Sequence, residues 1–499
     1  MSGAVTALIR AGETVPCQPW PRFVLTVARW NAMRAALADE PSLIFQGLWA
    51  DTAQVHALFL APEPILASVP VEKNLYGALS PWRPGATLFE RSVTDLWGYR
   101  AADALDPRPW LDHGRWPLLR PMAARPVPNG GQPEPWEPLP AVGAGLHQIP
   151  VGPIHGEISE PGAFRITAEG EQVVRLEARL GYAHKGTLLL MRGKPPRAAA
   201  PFAARLAADS TVAHALAFAR AVEAASGTEA PPRAAAIRGI AAELERVATH
   251  LGDLSAICRT VAADRLAGRM CTLREAELRA SHAAFGHRLM MDLVVPGGVA
   301  GDLTPEAADA ILATVKQLSA ELPGIERAVS GSLAGSVSGI GTVPHETTTR
   351  FMPGGPVGRA AGRTFDARRA LPYPPYDALA FAVPSRQEAD ADARVRVRLA
   401  EIEASLGLVR DLLGAMPEGP LLVSLPASRS GEGLGWAEAP RGDVWHWVRL
   451  DGGAIGAAFA RDPSWLHWPV LEAAAPGNAV ADLPLIEASV HGSVSGVDL

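Results

Sequence analysis

Thiols are scarce in this chain of 499 residues: it has three cysteines, Cys17, Cys258 and Cys271, and no CxxC pair. That excludes a disulfide framework and a metal cluster held by the chain's own sulfurs. Positive charge is not in excess either. The formal net charge is −6, whereas a nucleic-acid-binding surface is basic, so no nucleic-acid partner is expected. No apolar run reaches the roughly 18 residues of a membrane-spanning helix. The start, Met1-Ser2-Gly3-Ala4-Val5, lacks the basic-then-apolar pattern of a secretory leader. A cytoplasmic chain that can lie against a membrane assembly is the expectation.

Apolar residues are plentiful, at 48%, enough for two domains or one large domain with an accessory one. Residues 1–120 mix short apolar runs (Phe23–Val27, Val55–Leu60) with a helix-like stretch from Trp30 to Ala38, as in a small α+β unit. Seven prolines then fall between Pro121 and Pro140. Proline removes donors and fixes φ, so residues 121–150 read as a linker or a strap across the neighbouring domain. From 151 to 499 the chain reads as a mainly helical domain with a β-hairpin and short C-terminal strands. The fold class is therefore α+β.

In the hairpin, Phe164-Ile166-Ala168 and Val174-Leu176-Ala178-Leu180 alternate with polar residues around Glu169-Gly170-Glu171. Ile237, Ile240, Leu244, Val247, Leu251, Leu254 and Cys258 recur at spacings of three and four and mark a long helix. A second helix is predicted to open on a Thr272/Glu275 capping box and to stop at Pro296-Gly297-Gly298. A third opens on Thr304-Pro305, and a fourth carries Val395, Leu399, Ile402, Leu406, Val409 and Leu413. Four such helices suffice for a bundle. Residues 330–380 read mostly as loop. Arg441–Leu450 reads as a strand turning at Asp451-Gly452-Gly453.

Beside the first apolar stripe runs a polar one: Glu243, Arg246, His250 and Asp253. Such a row suits proton conduction, because a histidine titrates near neutral pH. An exposed helix face with i,i+4 ion pairs gives the same spacing. His155 and His184 suit satisfied structural roles, and Trp436, Trp445, Trp447, Trp465 and Trp468 suit core or interface.

Several segments, in order, resemble known families. Gly152-Pro153-Ile154-His155, Glu160-Pro161-Gly162, Gly181-Tyr182-Ala183-His184-Lys185-Gly186 and Arg205–Ser210 are similar to the opening of the nickel–iron hydrogenase large subunit and of its relative, the quinone-site subunit of complex I. Glu243-Leu244-Glu245-Arg246, Pro296-Gly297-Gly298-Val299 and Glu438–Gly442 continue the match. The N-terminal Glu90-Arg91…Asp95-Leu96-Trp97-Gly98, followed by Asp112–Arg120, resembles the small companion subunit of complex I, here fused ahead. The large subunits of membrane-bound, energy-converting (group 4) hydrogenases are the most similar kind.

The resemblance implies a scaffold without its metal. Nickel and iron need four thiolates, and the corresponding positions hold Ala207, Ser210, Ser493 and Gly496. The positions that meet a quinone in complex I hold Ser159 and Ala208, and Met290 stands where complex I has a histidine beside its terminal cluster. What the resemblance leaves for function is Glu160, aligned with a proton-passing carboxylate, Arg205, facing a cluster held by a partner, and Glu243 and His250 in the polar row. The expected role is a hydrophilic core subunit of a membrane-associated redox complex. It takes part in, or scaffolds, electron transfer coupled to ion translocation. A quinone- or small-molecule-reducing subunit and a purely structural subunit are the alternatives. No cofactor is expected on this chain. An iron–sulfur cluster is expected in a small partner subunit, with further subunits forming a membrane arm on the inner face of the membrane.

Overall fold

A computed structural model describes residues 3–132, 135–155 and 160–499. Its N-terminal part is built on five strands, β1 (Glu13–Val15), β2 (Arg22–Val24), β3 (Ile44–Ala50), β4 (Gln54–Ala61) and β5 (Glu63–Pro70), in the order β1-β2-β5-β4-β3. Strands β3, β4 and β5 are buried along nearly their whole length, so they read as continuous apolar runs rather than alternations. The run Phe23–Val27 does not stay one strand. The Thr26 hydroxyl accepts from the Arg29 amide at 3.2 Å and starts helix α1 (Val27–Ala36).

Helix α2 (Thr87–Trp97) ends on Gly98, whose φ of +79° suits a residue without Cβ. The acids of its signature hold loops: Glu90 accepts from the Leu79 and Ser80 amides at 2.6 and 3.0 Å, and Asp95 from the Trp110 and Leu111 amides at 2.8 and 2.7 Å.

In the proline-rich segment Val127–Pro128 pairs with Leu118–Leu119 just ahead of it, and the segment's end is already a strand, β6 (Leu146–Val151). That strand joins the expected hairpin, β7 (Ala163–Glu169) and β8 (Gln172–Arg179), in an antiparallel sheet. The register slips between Thr167 and Ala168. Val173 is therefore buried and Val174 exposed, so the strict alternation expected through Val174 fails at the bulge.

The helical body comprises α3 (Thr211–Ser226), α4 (Pro232–Thr260), α5 (Asp264–Phe285), α6 (Pro305–Ala328) and α7 (Ala391–Gly414). Helix α4 packs against α5 and α7, and α6 against both of those. The expected capping box at Thr272 is not a helix start. Helix α5 begins eight residues earlier at Asp264, and the Thr272 hydroxyl bonds back to the Gly268 carbonyl at 3.0 Å within it. That helix also stops earlier than expected, at Gly286 with φ +78°, and Pro296-Gly297 turns between two short strands instead. Residues 330–380 are not mostly loop. Short helices at His345–Phe351, Gly355–Ala360 and Ala367–Ala370 carry Arg359 and Arg368 into the interior.

The C-terminal sheet is β9 (Gly431–Ala439), β10 (Gly442–Asp451) and β11 (Ala454–Arg461), with β10 and its turn as expected. Strand β9 is new, and its glycines explain why it escaped notice. A Cβ at Gly433 would lie 2.0 Å from the Ala221 carbonyl and one at Gly435 2.1 Å from that of Ala217. Glycine at alternate strand positions meets alanine at every fourth helix position, so α3 lies directly on the strand. Helices α8 (Ser464–Ala474), α9 (Leu483–Val490) and α10 (Val494–Asp498) close the chain.

The N-terminal sheet shares one core with this C-terminal sheet. Trp49 stacks on Phe459 with ring centroids 5.1 Å apart, and Phe89 on Trp465 at 4.4 Å. The tryptophans are core, as expected.

Candidate functional site

The loops that resemble a metal site converge. Arg441, buried at the turn between β9 and β10, joins the Asp209 carboxylate to the His491 carbonyl. Its other guanidinium nitrogen lies 3.3 Å from Asp253, which also meets His491 Nδ1 at 2.8 Å and Arg398 Nε at 3.1 Å. Residues 205–210 and 491–496 are thus neighbours despite their separation in sequence. Glu160 is on the same side. Its carboxylate accepts from the Val494 amide at 2.7 Å, the Ser495 amide at 3.1 Å, the Ser493 hydroxyl at 3.2 Å and the Ser495 hydroxyl. It fastens the first turn of α10, as a carboxylate at a helix start does.

The residues present do not fit nickel and iron. Ala207 and Ser210 are buried without soft donors, and the Ser493 hydroxyl is spent as an N-cap, accepting from the Gly496 amide at 3.1 Å. At Gly496 even the space is taken: a Cβ there would lie 2.6 Å from Asp462 Cγ. Asp462 accepts from His214 Nε2 at 2.9 Å and the Ser464 amide at 2.8 Å, and His214 Nδ1 faces His446 Nε2 at 3.0 Å. A carboxylate backed by two imidazoles fills the corner toward which a ligand side chain at 496 would point. Among the described residues no group of three or more His, Cys, Asp or Glu could hold a metal ion.

Around this corner sit further titratable groups. Asp498 accepts from the Gly181 and Ala183 amides at 2.8 Å each, yet burial pushes its carboxyl up to about 7. Lys185 donates to the Leu206 carbonyl at 2.8 Å, and burial draws its pKa down. His184 stacks on Trp116 and bonds the Asp498 carbonyl, and burial lowers it as well. His155 packs edge-on against Phe164 at 6.0 Å. Ser159 lies outside the described residues.

The polar row of α4 is not an exposed helix face. Glu243, Arg246, His250 and Asp253 are all buried, held between α7 and the short helices after residue 344. Glu243 accepts from Arg368 at 2.9 Å, Tyr376 at 2.6 Å, Ser405 at 2.6 Å and Arg246 at 3.3 Å. Burial opposes its ionisation, but Arg368 and Arg246 prevail and bring it to about 2. His250 meets Glu401 at 2.8 Å, and burial nonetheless lowers the imidazole's pKa. Arg359 bridges Glu401 at 2.6 Å and Glu438 at 2.8 Å. Burial, with Asp366 nearby, raises Glu438 to about 7.

Arg205 stands apart. It is exposed and pairs with Asp292 at 2.7 Å, so it does not join the buried row. Sequence reasoning missed Arg359, Arg368, Asp462, His214 and His446. The two arginines sat in a segment read as loop, and no spacing rule connects Asp462 to Gly496.

Over most of its length the chain is similar to known proteins. Residues 266–430 match the family described as respiratory-chain NADH dehydrogenase, 49 Kd subunit. The chain is 30% identical to the carbon monoxide-induced hydrogenase of Rhodospirillum rubrum over 70% of its length and 98% of that protein's. It is 29% identical to formate hydrogenlyase subunit 5 of Escherichia coli, over 87% of this chain and 79% of that one. It is 31% identical to an NADH-quinone oxidoreductase subunit of Carboxydothermus hydrogenoformans, over 70% of this chain and 98% of that protein. A solved structure, that of a membrane-bound sulfane sulfur reductase described as an archaeal respiratory membrane complex, superposes with a TM-score of 0.68 at 26% identity. The match covers 72% of this chain and 100% of the other. No helix among the described residues is long and apolar enough to cross a membrane. The chain belongs to the family of core subunits that energy-converting hydrogenases and NADH-quinone oxidoreductases share.

Proposed function

We propose that this chain is the hydrophilic core subunit of a membrane-associated redox complex and acts there as a coupling scaffold, with no metal chemistry of its own. One observation carries the reading: the former ligand loops are tied, through Asp209, Arg441 and Asp253, to a buried and closely paired row of charges. Ion pairs such as Glu243 with Arg368 are locked far from neutral titration, so they suit rigid transmission better than proton exchange. Burial raises Glu438 and Asp498 toward neutral pH, in contrast to Glu243.

In this reading electrons travel through an iron–sulfur cluster held by a small partner subunit, which docks on the face that presents Arg205. The membrane arm is a separate set of subunits, and the assembly sits on the inner face of the membrane. The relatives named above support it, since their names place them in hydrogenase, hydrogenlyase and quinone-reductase assemblies. A second reading is that the complex reduces a small acceptor beside Glu160. The solved relative's name, a sulfane sulfur reductase, favours it.

Glu160→Gln in the assembled complex separates the two. The scaffold reading expects normal assembly, unchanged turnover and no nickel by elemental analysis. Lost turnover with normal assembly would instead assign Glu160 a working proton path.

A further inference from the structure

We propose that the surface formed by residues 113–132 and 179–197 docks a neighbouring subunit of the complex through an acidic face on that subunit. The proposal rests on the reading of this chain as one member of an assembly. The first segment holds three arginines and the second five lysines and arginines, with not one aspartate or glutamate in either. The chain as a whole carries 46 Lys and Arg against 52 Asp and Glu. These two segments therefore reverse the sign of the molecule locally.

The segments lie side by side. His113 Nε2 meets the Leu180 carbonyl at 2.7 Å, its ring packs edge-on against Tyr182 at 4.7 Å, and Trp116 stacks on His184 at 4.5 Å. Further along, Arg192 Nη2 donates to the Met122 carbonyl at 2.9 Å. That bond brings the stretch holding Arg120 and Arg125 against the one holding Lys194 and Arg197. At the other end Arg115 and Arg179 are within electrostatic reach of each other, and Arg120 and Arg179 line the same open cleft. Apolar side chains reach the surface on the same two segments: Leu118, Val127, Tyr182, Leu189 and Leu190 are each at least 36% exposed.

Arg115, Arg120, Arg125, Arg179, Lys194 and Arg197 have no carboxylate within 4.0 Å among the described residues. The acids nearby are engaged elsewhere. Asp112 accepts from the Gly114 amide at 2.8 Å, Asp498 from the Gly181 and Ala183 amides, and Glu160 from the start of α10. Even at full charge these three leave the eight cations in excess. Exposed leucines within a cationic rim have the anatomy of an interface, apolar at its centre and polar around it. Composition then selects the partner. Six of the eight cations are arginine, which protein interfaces favour while they disfavour lysine. A membrane surface is met instead by a long amphipathic helix, and the helix lying wholly within these segments, Thr187–Met191, has five residues. Carboxylates around an apolar patch on a partner protein complement both features.

The test uses the full chain in its native complex. A carbodiimide joins a lysine to a carboxylate in contact with it, and mass spectrometry locates the junction. Lys194 is expected to couple to an aspartate or glutamate of another subunit. Arg115→Glu combined with Arg197→Glu should lower the salt concentration that separates the complex about twofold, and the two Arg→Lys changes should restore most of it. Neither arginine makes a hydrogen bond among the described residues, so the reversed variant is expected to fold. Its melting temperature checks this, and the cross-link decides alone if it does not. A complex that assembles without a Lys194 cross-link, or stays equally salt-resistant with the charges reversed, overturns the inference and spares the scaffold reading. A wild-type chain recovered alone sinks both. Binding of the isolated chain to phosphatidylglycerol vesicles, lost in the variant while the complex stays intact, assigns the face to lipid and overturns the inference as well.

Discussion

Two polar interiors lie side by side in this protein, and they have been treated differently. At the corner that resembles a metal site, Ala207, Ser210, Ser493 and Gly496 are small, and neighbours fill the space: Asp462 at Gly496, Glu160 at the start of α10. Along α4, by contrast, the large charged side chains remain, paired with one another over three further segments. The difference follows from what each removal costs. A small residue where a relative would carry a thiolate leaves a gap that a turn and a carboxylate can fill. A lost member of a buried ion pair leaves an uncompensated charge, which no local repacking can hide.

The sharpest way to break that comparison is Glu243→Ala. It removes the carboxylate that Arg368 shares with Arg246, leaving Arg368 to Asp366 alone, and should destabilise the chain by about 3 kcal/mol, read as a lower urea midpoint. Retained stability would mean the row is not a set of mutually dependent charges.

Gly496→Cys should cost about 1–3 kcal/mol, because its Cβ meets Asp462. In combination with Asp462→Ala that clash disappears, so the double variant should be more stable than the two single losses added together. Simple additivity would remove Asp462 from the vacated corner, and nickel should stay absent in both variants.

A third test uses pH. Asp498 is raised in the fold from an ordinary 3.8 to about 7, with burial as the largest cause. Its protonated form is favoured in the native state, so its contribution is full at acid pH. That contribution is lost as pH rises from about 4 to about 7, at up to about 1.4 kcal/mol per pH unit. Asp498→Asn should flatten that decline in chemical-denaturation curves. An unchanged slope would mean that Asp498 ionises in the native state as freely as in the unfolded one.

The smallest effect is expected at Ser493→Ala. Loss of an N-cap costs about 1 kcal/mol, and helix α10 should fray, seen as faster amide exchange at Gly496. No change there would make Ser493 a bystander.

Much of the fold was legible in the sequence, because apolar periodicity is set by the core and does not depend on the site. The stripes of α4 and α7 form the expected helices, and the segments marked as a vacated site meet in space. Where reading failed, the reason was a local signal overridden by packing. Thr272 followed by Glu275 looks like a helix start, yet the helix already runs from Asp264 and turns the threonine hydroxyl back onto its own carbonyls. Strand β9 is hidden by glycines that serve the close approach of α3 rather than a turn.

The sequence by itself determined that no thiolate set exists, that long amphipathic helices form, and which residues stand where ligands would. Whether Glu243, Arg246, His250 and Asp253 face water or the interior was decided only by the tertiary structure. Spacings of three and four place them on one side of a helix in either case. Burial depends on Arg359 and Arg368 arriving from a distant, glycine-rich segment to pair with them. The closing of the metal corner by Asp462 is likewise a fact of three-dimensional contact, since a clash with a missing Cβ leaves no trace in residue order.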